Sequence, residues 1–502
     1  MAGSADEVDV LIVGAGLSGI GAAHHLVERC PDQTFAIWEG RDAIGGTWDL
    51  FRYPGVRSDS DMFTLGYRFK PWPGAKAIAD GPSIRTYVNS AADDAGIREK
   101  ITLNHWIKDA SWDSASERWT VTASVNGNDV QIKCKFLWMC SGYYRYKEGY
   151  TPDFPGVDRY SGKVIHPQHW PEDLDYTAKR VVVIGSGATA VTLIPSMADK
   201  TKHITMLQRS PTYMFSMPGT SALANALRKC LPEKAAYWLM RWQRIILQMF
   251  FFNLARATPK GTKKNMIKKV REKLGPDYDI KKHFTPSYNP WDQRICLVPD
   301  DDLFTAISEG KASVETDHIE TFTTDGIKLK SGKELKADIV ITATGLTLEA
   351  LGGASFHVDG RKVNFGETLS YKGFMFSDVP NLAAVFGYTN ASWTLRADLI
   401  SDYVCRLLAH MKGANYQTAT PINDDPTMKL EPYLDFTSGY VKRAEDILPK
   451  QGERMPWRHP QNYYKDLFAL RYGKIEDGIM RFDDRSKGNA QGADSETLAA
   501  AE

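Results

Sequence analysis

Two glycine-rich segments have the residue types and spacing that bind a dinucleotide. The first is Gly14-x-Gly16-x-x-Gly19, which follows the apolar run Val8–Val13 and has Glu39 twenty residues after its last glycine. Gly14 would form the tight turn, Gly16 would let a pyrophosphate approach the backbone, and Gly19 would let a helix pack close to the strand. The free N–H groups of that helix would bind the phosphates, and Glu39 would accept hydrogen bonds from ribose hydroxyls.

The second segment repeats this arrangement after the apolar run Val181–Ile184. It reads Gly185-Ser186-Gly187-Ala188-Thr189-Ala190, with the accepted alanine in place of the third glycine. Where an NAD-binding domain has an acidic residue after the next strand, this chain has Gln208-Arg209. A guanidinium can pair with a 2′-phosphate, which an acid would repel. We therefore expect this segment, together with Gln208 and Arg209, to bind NADPH rather than NADH.

These two units indicate the fold class. Short β-branched runs that lead into a glycine turn and a helix are typical of buried parallel strands in an α/β domain. The sequence therefore predicts an α/β protein with two Rossmann-like dinucleotide-binding domains. Two such domains in one chain favour the cofactor pair FAD and NADPH, and hence a flavoprotein that accepts hydride.

Composition excludes several classes of protein. The 502 residues include 62 Lys and Arg against 61 Asp and Glu, so the net charge of +1 gives no basic field for nucleic acid. The six cysteines form no C-x-x-C pair, which argues for a reducing compartment and against a zinc ribbon or a dithiol centre. We expect no metal site and no protein partner, and the N-terminus has no signal-peptide pattern.

One stretch, Ala235–Ala255, raises the question of a membrane. Its apolar run is interrupted by Arg241, Gln243, Arg244 and Gln248, so it is too short to span a bilayer. A basic run follows it, with Arg256, Lys260, Lys263, Lys264, Lys268, Lys269, Arg271 and Lys273 against Glu272. Such a run is either a solvated face or a surface for acidic lipids. We expect a cytoplasmic protein, either soluble or attached to the inner face of the membrane.

Two longer motifs carry a resemblance to a known family. The G-G-x-W-x-x-x-x-[FY]-P-G-x-x-x-D motif of type I Baeyer–Villiger monooxygenases is matched by Gly45-Gly46-Thr47-Trp48-Asp49-Leu50-Phe51-Arg52-Tyr53-Pro54-Gly55-Val56-Arg57-Ser58-Asp59. That family's F-x-G-x-x-x-H-x-x-x-W-P fingerprint is matched, with tyrosine for the first residue, by Tyr160, Gly162, His166, Trp170 and Pro171. The chain resembles this family from about Val8 to Arg481. It is most similar to the mycobacterial members that oxidise thioamides at Phe51–Asp61, His166–Asp175 and Tyr388–Leu395.

The resemblance implies a domain division. Residues 1–146 and 371–502 would form the FAD-binding domain, with a disordered tail from about residue 483. Residues 147–211 and 325–370 would form the NADPH-binding domain, and residues 212–324 a helical insertion in it. The linker Gly142–Gly162 and the region around Gly345 would be hinges.

The resemblance also assigns roles to individual residues. Arg294 would be the catalytic arginine, and Asp59 would accept a hydrogen bond from it beside the flavin. Gln293 stands where many relatives have a lysine, which leaves more of the 2′-phosphate recognition to Arg209. Besides the first glycine turn, Glu39 and Asp59, the FAD contacts would be Ser18, Gly46, Thr47, Trp48, Asp49, Leu50 and Ile107. Besides the second glycine turn, Gln208 and Arg209, NADPH would contact Arg57 and Ser58. The fingerprint residues would couple the domains, and Tyr388, Asn390 and Trp393 would face the substrate.

The implied reaction is the insertion of one oxygen atom from O₂ beside a ketone carbonyl, by way of a C4a-peroxyflavin, to give an ester or lactone. Oxidation of sulfides and thioamides is implied as well. Two alternatives stay open: a flavin monooxygenase whose main reaction is S- or N-oxygenation, and an NADPH-dependent flavin reductase. A nucleotide-sensing protein without catalysis would not need both dinucleotide sites and Arg294.

Overall fold

The computed structural model describes residues 7–434 and 436–483. The predicted disordered tail therefore lies, apart from Asp483, outside the described residues. The strands are β1 (Glu7–Val13), β2 (Phe35–Trp38), β3 (Ile101–Thr102), β4 (Trp106–Asp113), β5 (Arg118–Val125), β6 (Asn128–Met139), β7 (Lys163–Ile165), β8 (Arg180–Ile184), β9 (His203–Gln208), β10 (Met214–Met217), β11 (Cys296–Pro299), β12 (Ala312–Thr316), β13 (Ile319–Thr323), β14 (Gly326–Leu329), β15 (Glu334–Lys336), β16 (Ile339–Thr342), β17 (Ser355–Val358), β18 (Arg361–Lys362), β19 (Ser370–Tyr371), β20 (Met375–Phe376), β21 (Leu382–Ala384), β22 (Thr418–Pro421), β23 (Leu430–Pro432), β24 (Lys450–Gly452) and β25 (Met480–Asp483).

The helices vary widely in length. They are α1 (Leu17–Arg29), α2 (Thr47–Leu50), α3 (Met62–Leu65), α4 (Gly81–Asp94), α5 (Ala188–Ala198), α6 (Ala222–Cys230), α7 (Glu233–Ala257), α8 (Pro259–Leu274), α9 (Ile280–His283), α10 (Asp302–Ser308), α11 (Trp393–Ala414), α12 (Gly439–Lys442) and α13 (Tyr463–Asp466). No helix in the part of the chain that the structure describes is long and apolar enough to cross a membrane.

The first dinucleotide unit lies in a mixed sheet. Its order is β18-β17-β4-β5-β6-β1-β2-β3, and β21 pairs with β6 from outside this path. Strands β6, β1, β2 and β3 run parallel, and β1 is buried on both faces, as its apolar run predicts. Helix α1 follows β1 and packs against the long C-terminal helix α11, so the end of the chain completes the first domain.

The second unit lies in a five-stranded parallel sheet of order β12-β9-β8-β16-β7. Its helix α5 follows β8 as the sequence predicts, and it buries Val191, Leu193 and Ile194 against the sheet. The prediction of an α/β fold with two Rossmann-like domains is confirmed.

The predicted domain boundaries differ from the structure at two points. Strand β12 pairs with β9, so the helical insertion does not extend to residue 324; its helices α6–α9 lie between β10 and β11, which pair with each other. Strand β17 pairs with β4, so the chain returns to the first sheet by Ser355 rather than at residue 371. Both strands are short and partly polar, so their alternation of apolar and polar residues does not show which of the two sheets they join.

Candidate active site

The first glycine turn is as tight as its pattern predicts. Gly14 has a φ of +105°, and a Cβ there would lie 2.6 Å from the Cys140 carbonyl oxygen. A Cβ on Gly19 would lie 1.8 Å from the carbonyl oxygen of Gly14, so helix α1 contacts the turn directly. A Cβ on Gly16 would meet Gly46 and the Gly45 carbonyl oxygen at ordinary contact distance, 3.4 Å or more. The turn therefore holds the N-terminus of α1 open towards the space beyond β1.

Glu39 is held by backbone donors beside this turn. Its Oε2 accepts from the Ala15 N–H at 2.7 Å and its Oε1 from the Arg41 N–H at 2.9 Å. Burial raises the pKa of this carboxyl, while the two N–H groups and Arg41 act in the opposite direction. Ribose hydroxyls donating to Glu39 would stabilise the carboxylate further.

The second glycine turn differs from the first in its steric freedom. Gly185 has a φ of +133°, and a Cβ there would lie 2.2 Å from the Ala343 carbonyl oxygen. Gly187 at the start of α5 has no heavy atom within 4 Å of such a Cβ, so its backbone is open to a ligand. The hydroxyl groups of Ser186 and Thr212 are 2.7 Å apart at the same turn.

Arg209 and Gln208 have different surroundings although they are adjacent. The Arg209 side chain is exposed, lines the same cavity as the glycine turn, and has no ion-pair partner among the residues described. Gln208 is buried, and its Nε2 donates to the His283 carbonyl and to Thr316 Oγ1, both at 2.8 Å. Arg209 is therefore available for a phosphate, whereas Gln208 holds β9 to α9 and β12.

Arg294 and Asp59 meet in this cavity. Arg294 precedes β11, Asp59 precedes α3, and the guanidinium Nε lies 3.7 Å from Asp59 Oδ2. Asp59 raises the pKa of Arg294 further above its ordinary value. Both side chains keep about two-fifths of their surface exposed, at 40% and 39%, because they face the cavity. The pair gives a cation that stays charged at every physiological pH and still has N–H groups free for a ligand.

Aromatic residues that the sequence analysis missed surround this pair. Tyr143 and Tyr144 share a 2.6 Å hydroxyl–hydroxyl hydrogen bond, and both line the same cavity as Arg294. Tyr143 stacks on Trp393 at 5.0 Å between ring centroids, and the Trp393 Nε1 donates to Ser18 Oγ at 2.7 Å. The two tyrosines follow Gly142 in the linker. The aromatic pair Y-Y at this predicted hinge was the signal in the sequence that could have identified them.

A single cavity connects these groups. Its volume is about 890 Å³, and it extends from the first glycine turn past Arg294 to the second. Of the predicted site residues, those that line it are Gly14, Gly16, Ser18, Glu39, Gly46, Thr47, Trp48, Arg57, Ser58, Asp59, Ile107, Gly185, Ser186, Gly187, Ala188, Thr189, Arg209 and Arg294. Those that do not are Gly19, Asp49, Leu50, Ala190, Gln208 and the five fingerprint residues. Tyr388 and Trp393 also line it, and Asn390 does not.

Asp49 and Arg57 have protein partners that the sequence did not reveal. The buried carboxylate of Asp49 pairs with Arg41 and Arg52, both at 2.6 Å, so it fixes the loop around α2. Arg57 lines the cavity, but its Nη1 lies 2.5 Å from Asp302 Oδ2. Arg52 lies three residues after Asp49 within the motif, whereas Arg41 and a third partner, Arg85 at 3.4 Å, lie outside it, so the motif alone gave no signal for those two.

Within the fingerprint, His166 contacts the segment around Gly345 that was predicted to be a hinge. His166 Nδ1 accepts from the Gln168 N–H at 3.2 Å, so its Nε2 donates to the Gly345 carbonyl at 3.2 Å. Burial lowers the pKa of His166, which favours this neutral form. Gln168, which the sequence analysis did not single out, donates to the Arg145 and Tyr146 carbonyls at 2.8 and 3.0 Å. The fingerprint thus ties β7 to both linkers between the sheets.

The remaining fingerprint residues are structural. The Tyr160 hydroxyl donates to the Ala337 carbonyl at 3.0 Å, and a Cβ on Gly162 would lie 2.3 Å from that hydroxyl. Trp170 packs against the core of the second domain, and Pro171 is exposed. These contacts keep the start of β7 against β16.

Two family models match the chain. The flavin-binding monooxygenase-like model covers residues 83–351, and an NAD(P)-binding Rossmann-like domain model covers residues 12–70. Among relatives, the FAD-containing monooxygenase EthA of Mycobacterium tuberculosis is 52% identical over 96% of this chain and 98% of its own length. The probable FAD-binding monooxygenase AlmA of Acinetobacter baylyi is 47% identical over 96% and 97%.

Solved structures show the same fold at lower identity. An open cyclohexanone monooxygenase has a TM-score of 0.76 at 18% identity, covering 96% of this chain and 100% of its own. A steroid monooxygenase bound to NADP has a TM-score of 0.71 at 23% identity, covering 83% and 88%. The family-model match and the high identity over nearly the whole chain show that this protein belongs to the flavin-binding monooxygenase-like family, as an FAD- and NADPH-dependent monooxygenase.

Proposed function

We propose that this enzyme is a Baeyer–Villiger monooxygenase, which converts a ketone into an ester or lactone with one oxygen atom from O₂. The observation that carries this proposal is the Arg294 guanidinium, held by Asp59 inside a cavity that is continuous with both glycine turns. Insertion of oxygen beside a carbonyl needs an anionic oxygen nucleophile. It then passes through a tetrahedral oxyanion, which must be stabilised. A fixed cation that does not release a proton serves both.

The residues that line the cavity fit both cofactors. We propose that the Gly14–Gly19 turn and Glu39 hold the adenosine half of FAD, while Gly46, Thr47 and Trp48 hold the flavin end. The Gly185–Ala190 turn and Arg209 would hold NADPH, with Arg209 on the 2′-phosphate. Bound FAD, once reduced by NADPH, supplies the activated oxygen that is transferred to the substrate.

The protein's own groups then have separate tasks. Arg294 donates hydrogen bonds to negatively charged oxygen and, because its pKa is raised, withholds its protons. Asp59 orients Arg294 through the charge pair. Tyr143, Tyr144 and Trp393 form an aromatic wall that orients an apolar substrate and limits water around the reacting oxygen.

The same wall favours a second activity, the oxidation of sulfides and thioamides. Polarisable sulfur makes favourable contacts with aromatic rings, and Tyr143, Tyr144 and Trp393 present such rings beside Arg294. We propose that this activity accompanies ketone oxidation, and a thioether assayed beside a ketone of matched shape would measure the balance.

The deciding experiment is product analysis with ¹⁸O₂. The holoenzyme, NADPH and a methyl ketone should give an ester with one ¹⁸O atom, measured by mass spectrometry. Arg294→Ala should lower the ester rate at least ~100-fold, as for loss of one oxyanion donor, while NADPH still reduces the flavin within a few-fold of the normal rate. Arg361→Ala, at an exposed arginine of β18, is the control.

Two outcomes would contradict the proposal. If NADPH oxidation gave only hydrogen peroxide and no oxygenated product from ketone or sulfide, a flavin reductase would be the better assignment. If Arg294→Ala made ester at the normal rate, the site of oxygen transfer would lie elsewhere.

We propose that the enzyme works in the cytoplasm, at the inner face of the membrane. The described cysteines are all free, and five of the six are buried, which suits a reducing compartment. The membrane location is supported by the exposed surface of α7 and α8 on the helical insertion.

A further inference from the structure

Helix α7 presents a row of apolar side chains to solvent. The row consists of Trp238, Leu239, Ile246, Phe250, Phe251 and Leu254. Trp238, Ile246 and Phe250 are 53%, 52% and 57% exposed. Between residues 235 and 252, every exposed residue of α7 is apolar. Single exposed apolar residues are ordinary, but a contiguous row marks an interaction surface.

Helix α8 follows directly and carries the opposite kind of surface. It buries Met266 and Val270 and exposes cations on its other side. The exposed cations are Lys260, Lys264, Lys268, Lys269, Arg271 and Lys273. Only Lys268 and Lys273 have carboxylate partners among the described residues, so most of this charge is available to an external anion.

We infer that α7 and α8 form a docking surface for a lipid bilayer with anionic headgroups. The row on α7 would enter the boundary between headgroups and acyl chains, and the cations of α8 would bind the phosphates above it. An apolar layer directly below an anionic surface is the layering of a bilayer. The apolar row of α7 matches the apolar layer, and the exposed cations of α8 match the anionic surface.

The buried side of α7 connects this surface to the segment that carries Asp59. Arg241 Nη1 donates to the Phe63 and Gly66 carbonyls at 2.9 and 2.7 Å. Gln248 Nε2 donates to Asp61 Oδ2 at 3.2 Å, two residues from Asp59. Helix α7 is therefore fixed to α3 and to the residues that flank it, near Asp59.

The C-terminal end of α7 contacts the loop that carries Arg294. The Phe252 ring meets the Trp291 ring edge-on at 5.3 Å, and Arg256 Nη1 lies 3.3 Å from Asp292 Oδ1. Both members of the Arg294–Asp59 pair are thus two residues away from a residue that contacts α7. If the proposed function holds, docking brings the oxygenation site to the membrane, where apolar ketones and sulfides concentrate.

The test is vesicle sedimentation of the full-length holoenzyme. The probes are vesicles of equal parts phosphatidylglycerol and phosphatidylcholine, and vesicles of phosphatidylcholine alone. We expect the enzyme to sediment with the anionic vesicles, with at least ~5-fold less bound to the neutral ones and release by high salt. Binding is measured without ketone turnover, so its failure and the failure of the proposed reaction are distinguishable.

Two pairs of variants, each a test variant with its control, locate the surface. Phe250→Glu/Phe251→Glu should lower the bound fraction ~10-fold, while Leu430→Glu/Ile447→Glu, at two other exposed apolar positions, should leave it unchanged. Lys264→Glu/Lys268→Glu should weaken binding to anionic vesicles, while Lys100→Glu/Lys133→Glu should not. FAD content and NADPH-driven flavin reduction report whether each variant is folded, and if the phenylalanine variant loses FAD, the lysine variant decides.

Three results would overturn the inference. The enzyme could remain in the supernatant with anionic vesicles. The control variants could lose binding as strongly as the α7 and α8 variants. Or light scattering could show a dimer that Phe250→Glu/Phe251→Glu dissociates, without any vesicle binding, in which case the apolar row is an interface between two copies.

Discussion

At the scale of single residues, Arg294 and Asp59 come from two loops more than two hundred positions apart and form the charge pair of the cavity. The pair is partly open to solvent, so its electrostatic contribution to stability is small. Its value lies in fixing the position of a permanent cation beside bound substrate.

The first prediction at this scale concerns Asp59. Asp59→Asn keeps the size of the side chain but removes the charge that faces Arg294, so we expect kcat for ketone oxidation to fall ~10-fold, less than for Arg294→Ala. The Michaelis constant for NADPH should change little. Steady-state kinetics measures both quantities, and an equal loss from Asp109→Asn, a carboxylate on β4, would argue against a specific role.

The second residue-scale prediction separates Arg209 from Gln208. Arg209→Ala should raise the Michaelis constant for NADPH ~10-fold or more and leave that for NADH nearly unchanged, because only NADPH has the 2′-phosphate. Gln208→Ala should instead lower the melting temperature, because it removes two buried hydrogen bonds. If Arg209→Ala affected both nucleotides equally, the phosphate would be bound by another residue.

At the scale of elements, the third position of the first glycine turn and the second position of the second turn differ in what a side chain would meet. Gly19 has no room, since its Cβ would lie 1.8 Å from the Gly14 carbonyl oxygen, whereas Gly187 has nothing within 4 Å. The third position therefore serves helix–strand packing, and the second leaves the backbone open to the ligand.

A pair of alanine substitutions tests this difference. Gly19→Ala should destabilise the protein by ~1–3 kcal/mol and lower FAD retention, because α1 must move away from β1. Gly187→Ala should leave the melting temperature unchanged and raise the Michaelis constant for NADPH, because the methyl group occupies space that the pyrophosphate needs. Thermal unfolding and FAD content measure the first effect and kinetics the second. Equal melting temperatures for both variants would contradict the packing argument.

At the scale of the whole molecule, segments distant in sequence meet in one buried polar network around His459. Its Nε2 donates to the Tyr433 carbonyl at 2.7 Å, and its Nδ1 faces Gln461 Nε2 at 3.0 Å. Burial, and then the charge of Arg396, lower the pKa of His459 to about 3. The folded protein therefore keeps this histidine neutral.

This network makes stability depend on pH. The unfolded chain protonates His459 below its ordinary pKa of 6.5, whereas the folded protein does so only near 3, so the stability present above pH 6.5 is lost as the pH falls. Between pH ~7 and ~5, His459 should account for ~2 kcal/mol of lost unfolding free energy. His459→Asn, which keeps a donor and an acceptor, should show that much less pH dependence in chemical unfolding. An identical pH dependence in both proteins would refute the assignment.

Much of this molecule could be read from local sequence. The runs Val8–Val13 and Val181–Ile184 each became a buried strand, because β-branched apolar residues before a glycine turn leave few alternatives. The fold class, both cofactors and the family followed from such short-range patterns.

Tertiary structure alone decided the rest. The sequence around β12 and β17 does not indicate which of the two sheets each strand joins, because strand pairing is a contact between distant segments. The same holds for the ion pair of Arg57 with Asp302, for the partners that hold Gln208 away from the cavity, and for the tyrosines that line the cavity with Arg294. The sequence determined which residue types would turn, bind phosphate and carry charge, while only the packing of distant segments decided which of them face the cavity.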